Sequence, residues 1–171
     1  NPAKAGQLSL IEGVLRKFET AGQGDRFRRW AEDRASRGPS PLERANLLLL
    51  AGRHEQAVRE LAGAVRAGVG GPVRGEWKRR FEGSEHYRPL LVALATADPS
   101  DAGSRLELLA LDGQESTPDA IEPLSMMLDR APEPPYVRFS EGSGPARARS
   151  AFELAYRLMR IYESYGLMDE L

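Results

Sequence analysis

Residues 47–68 read LLLLAGRHEQAVRELAGAVRAG. An apolar run closes at Ala51, Gly52 interrupts it, and Ala57, Leu61, Ala64 and Val65 then recur at the three- and four-residue steps of one helix face. Glycine is the residue that ends a helix in the left-handed conformation, so the stretch predicts two helices joined by a tight turn at 52. The same punctuation extends in both directions. Gly22, Gly52, Gly83 and Gly113 stand at intervals of 30, 31 and 30 residues, within ETAGQGDRF, LLAGRHEQA, FEGSEHYRP and LDGQESTPD. Recurrence at a fixed period of roughly 20–50 residues is the mark of stacked two-helix units.

Around those turns the chain divides into predicted hairpins over about 7–37, 41–68, 74–98 and 101–130. In the first, Leu8, Ile11, Val14, Leu15 and Phe18 precede the turn, and Phe27, Trp30 and Ala31 follow it. In the third, Trp77 and Phe81 precede the turn, and Tyr87 or Leu90 opens a helix that stops at Asp98-Pro99. In the fourth, Ser100 or Asp101 serves as a cap before Leu106, Leu109 and Leu111, and Ala120, Leu124, Met127 and Leu128 carry the second stripe. Ser40 ahead of Pro41 and Glu43 reads as another cap. Residues 131–145 (APEPPYVRFSEGSGP) are proline- and glycine-rich and predict a loop. A long closing helix follows over 146–166, with Phe152, Ala155, Tyr156, Leu158, Met159 and Tyr162 as its stripe. The expected fold is all-α, a single repeat domain over 1–171: four hairpins in a short right-handed solenoid closed by the last helix.

Composition agrees with an ordered, surface-rich protein: 41% hydrophobic and 29% charged residues, net charge −1. That charge argues against a nucleic-acid binder working through overall charge. No apolar run approaches the roughly 18 residues of a membrane span. The absence of cysteine removes disulfides, thiolate metal sites and a cysteine nucleophile from consideration. Arginine outnumbers lysine 21 to 3, which with abundant Ala, Gly and Leu reads as a GC-rich, bacterial-like composition before it reads as arginine chemistry. Asn1 marks the start of a processed or excised piece, with another domain expected before it. The compartment stays open, with the cytoplasm favoured.

The segment at 47–68 resembles a tetratricopeptide (TPR) repeat. That family places a small residue and Gly at the turn, then small, large and small positions along the second helix, as Ala57, Leu61 and Ala64 do here. Small residues let two helix backbones approach, and the large one fills the groove between them. Phe27, Ala31 and Arg34 keep the phase without the sizes; Tyr87, Leu91 and Leu94 keep it with a one-residue slip; Ala120, Leu124 and Met127 keep it after a two-residue insertion. The interval falls short of the family's usual 34 or so residues. Another helical-hairpin solenoid and a compact bundle remain alternatives.

The resemblance implies a concave groove lined by the first helix of each unit. It would bring Arg16, Asn46, Arg79 and Arg80 to that groove, where arginine can grip a carboxylate through paired hydrogen bonds and favour an acidic or C-terminal peptide. Without it, the same arginines are a solvated helix face with pairs such as Glu12 with Arg16 and Glu55 with Arg59. Basic clusters with aromatics, Arg26, Arg28 and Arg29 with Trp30 and Lys78, Arg79 and Arg80 with Trp77 and Phe81, would suit nucleic acid in a rival reading. A third is a regulatory or oligomerisation module, with Tyr156, Met159, Tyr162, Tyr165 and Met168 of the last helix either buried or open to a second copy.

Chemistry is sparse. His54 and His86 are the two histidines, have no partner at metal-ligand spacing, and read as packing or turn residues. Ser140–Gly144 is neither a nucleophile elbow nor a phosphate loop. Neither catalytic residues nor metal ligands nor a cofactor are expected; the predicted role is a non-catalytic protein-interaction scaffold or adaptor.

Overall fold

The computed structural model describes residues 7–38, 40–130 and 146–167, with side chains in the first and last helices from residues 12 and 152 onward. The loop expected over 131–145, Asn1 and Met168 lie outside the described residues. All regular structure among those residues is helical: α1 (Gln7–Thr20), α2 (Gly24–Ser36), α3 (Pro41–Leu50), α4 (His54–Arg66), α5 (Gly71–Phe81), α6 (Tyr87–Ala97), α7 (Ala102–Leu111), α8 (Ile121–Asp129) and α9 (Ala146–Ser164). A single 3-10 turn, Pro118–Ala120, leads into α8. The chain gathers into two compact units that divide between Asp98 and Pro99.

The helix ends follow from local chemistry. Gly52 has φ +77, the left-handed conformation. There its N–H donates to Leu49 O at 3.1 Å and that of Arg53 to Leu48 O at 2.9 Å, satisfying carbonyls that α3 leaves open. The turns at Gly22 and Gly113 repeat this bonding. Gly83 does a different job. Glu82 at φ −51, ψ 130 followed by Gly83 at φ +75 is a type II turn, closed by Ser84 N–H on Phe81 O at 2.9 Å. Ser40 and Asp101 are caps as expected, their side chains accepting from Glu43 N at 3.2 Å and Ser104 N at 3.1 Å. One boundary moves. The helix expected from about 74 begins at Gly71, with Pro72 inside the first turn of α5, where its missing N–H costs nothing.

In the first unit α3 is central, packing against α1, α2 and α4. Ala57, Leu61 and Ala64 of α4 are all 1% exposed or less, so the small–large–small line is a buried seam. Burying Leu61 alone is worth about 2 kcal/mol. Beyond it α4 packs against α6. Trp77 and Phe81, stacked 5.8 Å apart, carry α5 into the same core with Leu90 and Leu94. A second cluster joins Phe27, Ala31 and Ala35 of α2 to Leu47 and Leu50 of α3.

The second unit buries Leu106, Ala120, Leu124, Leu158 and Ile161, with α8 packed on both α7 and α9. Here the expected stripe of α9 needs correction. The buried line is Leu158 and Ile161, with Leu154 and Tyr162 partly covered, whereas Phe152, Tyr156 and Met159 are exposed. At about 100° per residue the two sets fall on opposite sides of the helix.

Candidate protein-binding surface

Of the four residues the sequence places in a groove, Arg16 on α1 and Arg79 on α5 are exposed. Arg80 of α5 forms an ion pair with Glu12 of α1, whose side chain is 23% exposed against 34% for Arg80. Arg16 stands one helical turn after Glu12. The arginine at 80 therefore serves a contact within the unit, and Arg16 stays exposed. Arg79 is also exposed and lies along its own helix, its Nη1 3.7 Å from where a side chain on Gly75 would begin. Asn46 is not in an open groove. It is 4% exposed, and its Oδ1 lacks a hydrogen-bond partner. The cause is the setting of α3, which is walled on three sides and buries Ala45, Asn46, Leu47, Leu49 and Leu50 in succession.

An open apolar cleft of this unit lies between α1 and α2. Val14, Phe18, Phe27 and Trp30, with Gln23 and Arg26 at the edge, line a cleft of about 470 Å³. The three rings form a chain, Phe18 to Phe27 at 5.1 Å and Phe27 to Trp30 at 5.3 Å. Phe27 is buried, yet Trp30 is 52% and Val14 41% exposed. The sequence reading assigns Trp30 to the apolar side of α2. The sign that it would stay open is its phase: Phe27, Ala31 and Ala35, at four-residue steps, are the buried line, and Trp30 sits one residue off it.

The neighbouring polar cleft is occupied by ion pairs. Glu32, Arg44, Gln56 and Glu60 line about 540 Å³. Arg44 meets Glu60 at 2.8 Å and donates to Gly38 O, while Arg53 holds both carboxylate oxygens of Glu32 at 2.9 and 3.3 Å. These pairs fasten α2, α3 and α4 to each other.

The two basic clusters differ in their surroundings: Trp30 of the first is half exposed, whereas the rings of the second are buried. Arg28 is held by Glu19 and Asp25. Trp77 and Phe81 are 0% and 3% exposed and present no ring face for a base. The rings of His54 and His86 are tilted to each other with centroids 4.5 Å apart, each edge-on to Phe81. Burial, and secondarily His86, lowers the proton affinity of His54, while Glu85 works the other way. No group of three or more metal-capable side chains occurs among the described residues, and no described helix is long and apolar enough to cross a membrane. Comparison with protein-family models, curated proteins and solved structures finds no match to this chain.

Proposed function

We propose that the chain is a TPR-like helical-repeat module that binds another protein and performs no chemistry itself. The observation that carries this reading is the α1–α2 cleft, in which a half-exposed tryptophan caps a row of aromatic rings beside an arginine. Tryptophan and arginine around a concave apolar site are the side chains that supply most binding energy at protein interfaces. Packed helices hold the cleft in shape, so the partner loses most of the ordering entropy on binding and the scaffold little. Support for the repeat comes from the left-handed glycines at steps of 30, 31 and 30 residues and the buried Ala57–Leu61–Ala64 seam.

The preferred partner is a segment with one large apolar anchor for the cleft and acidic residues beside it for Arg26. Arg16 and Arg79, both exposed, offer further basic contacts to a longer acidic partner.

Selection of displayed peptides on the folded chain tests the reading. Enriched sequences should share an aromatic or aliphatic anchor flanked by Asp or Glu. They should lose at least tenfold in affinity with Trp30→Ala, a change at a half-exposed site that leaves the circular dichroism unaltered. Paired Arg16→Ala and Arg79→Ala should weaken only the longer acidic ligands. Peptides that bind Trp30→Ala as well as the parent, or no enrichment, would refute the assignment.

A further inference from the structure

α9 carries apolar residues on two opposite sides, and only one of them is used within the second unit. Leu154, Leu158 and Ile161 pack with Leu124 of α8 and Leu106 of α7. On the other side Phe152, Tyr156 and Met159, spaced by four and three residues, are 75%, 51% and 44% exposed. A four–three spacing is the seam along which two helices interdigitate.

The charges beside the ridge indicate what covers it. Glu153 and Arg160 lie on the same flank, seven residues apart, three before and four after Tyr156. A second α9 laid antiparallel about Tyr156 brings each Glu153 opposite the other copy's Arg160, and symmetry makes the pair twice. Phe152 then lies level with residue 160 of the other copy, beside Met159. A parallel arrangement would set this charged flank against the uncharged one, which carries Ala155 and Tyr162. Within one chain Arg160 is turned to Glu163 at 3.3 Å, with both side chains about 60% exposed, a weak pair that is readily exchanged.

We infer that this ridge is a self-association surface, and that its occupant is α9 of a second copy, antiparallel and centred on Tyr156. From Phe152 to Glu163 the ridge is about 17 Å long at 1.5 Å per residue. Two such ridges bury less than the roughly 1,000 Å² of a durable interface, so the dimer dissociates on dilution. The inference is independent of the cleft between α1 and α2.

Sedimentation velocity on the full chain over a concentration series tests it. The parent should shift from monomer to dimer as concentration rises, and Phe152→Glu should weaken association about thirtyfold or more. Glu153→Arg and Arg160→Glu should each weaken it, and the double variant E153R/R160E should restore it, a rescue that general misfolding would not produce. Because the chain has no cysteine, orientation can be read separately. Tyr156→Cys should cross-link to itself under oxidation. Phe152→Cys should not, because antiparallel helices offset its two copies by about 12 Å, beyond disulfide reach. A parent that stays monomeric at millimolar concentration, a double variant no better than the singles, or self-cross-linking of Phe152→Cys would each overturn the proposal.

Discussion

The same chemical change, glycine to alanine, should have opposite signs at two positions in the α3–α4 pair. At Gly52, φ is +77 and a Cβ would meet nothing within 4 Å, so the cost is purely that of placing an L-residue in the left-handed conformation. That cost is about 1–2 kcal/mol. At Gly63, inside α4, φ is helical and the new methyl would touch only Pro41 Cβ at 3.7 Å, an ordinary contact. Alanine there should stabilise by about 0.5–1 kcal/mol, because glycine has more backbone freedom to lose on folding. The two variants should therefore differ by about 1.5–3 kcal/mol, with the parent between them. Urea titration followed by tryptophan emission isolates the effect: both tryptophans, Trp30 and Trp77, precede Asp98, so the signal belongs to the first unit. Midpoints should move in opposite directions at constant slope. In thermal melts each kcal/mol corresponds to about 4–8 °C for a unit of this size. Gly52→Asn should lose less than Gly52→Ala, since asparagine tolerates the left-handed region. A neutral Gly52→Ala, or two shifts of the same sign, would refute the argument that positive φ is the reason for glycine at this turn.

Leu61→Ala should cost about 2–5 kcal/mol in the same titration, since Leu61 is fully buried between alanines that have no side chain to swing into the void; a loss under about 1 kcal/mol would mean that the seam collapses freely. The first unit should also weaken below about pH 6.5. Burial and His86 depress the folded-state proton affinity of His54, so the unfolded chain takes up the proton more readily, stability is complete above pH 6.5 and falls as the pH drops through the folded value. The drop in urea midpoint between pH 7.5 and 5.5 should shrink in His54→Gln, and an unchanged pH dependence in that variant would sink the explanation.

What could be read from the chain in advance was whatever depends on near neighbours. A left-handed turn needs glycine within one or two residues of the helix end, so Gly22, Gly52, Gly83 and Gly113 announced the helix boundaries. Caps at Ser40 and Asp101 are equally local. Even at this range detail was lost: the spacing of Gly83 is that of the other three, but the type II turn it makes depends on the extended conformation of Glu82. What sequence could not supply was which face of a helix finds a partner. Asn46 is expected in the groove with Arg16, and it is buried because α3 packs against α1, α2 and α4. The Glu12–Arg80 pair joins residues far apart in the chain that no local pattern connects.

α9 states the difficulty most plainly. Leucine and isoleucine at 154, 158 and 161 and the larger rings on the opposite side give the helix two apolar lines of similar strength, and periodicity alone does not choose between them. Leu158 and Ile161 take the space beside Leu124 and Leu106, with Leu154 and Tyr162 packed against them, and Phe152 and Tyr156 stay outside. An apolar line left over by such a choice costs free energy in water, about 25 cal/mol for each Å² exposed, unless something covers it. Replacing Phe152, Tyr156 and Met159 together with lysine, glutamine and glutamate would separate the two roles of the helix. The second unit should keep its helicity while association is lost; if helicity collapses instead, those side chains belong to the core and the two-line reading of α9 is wrong.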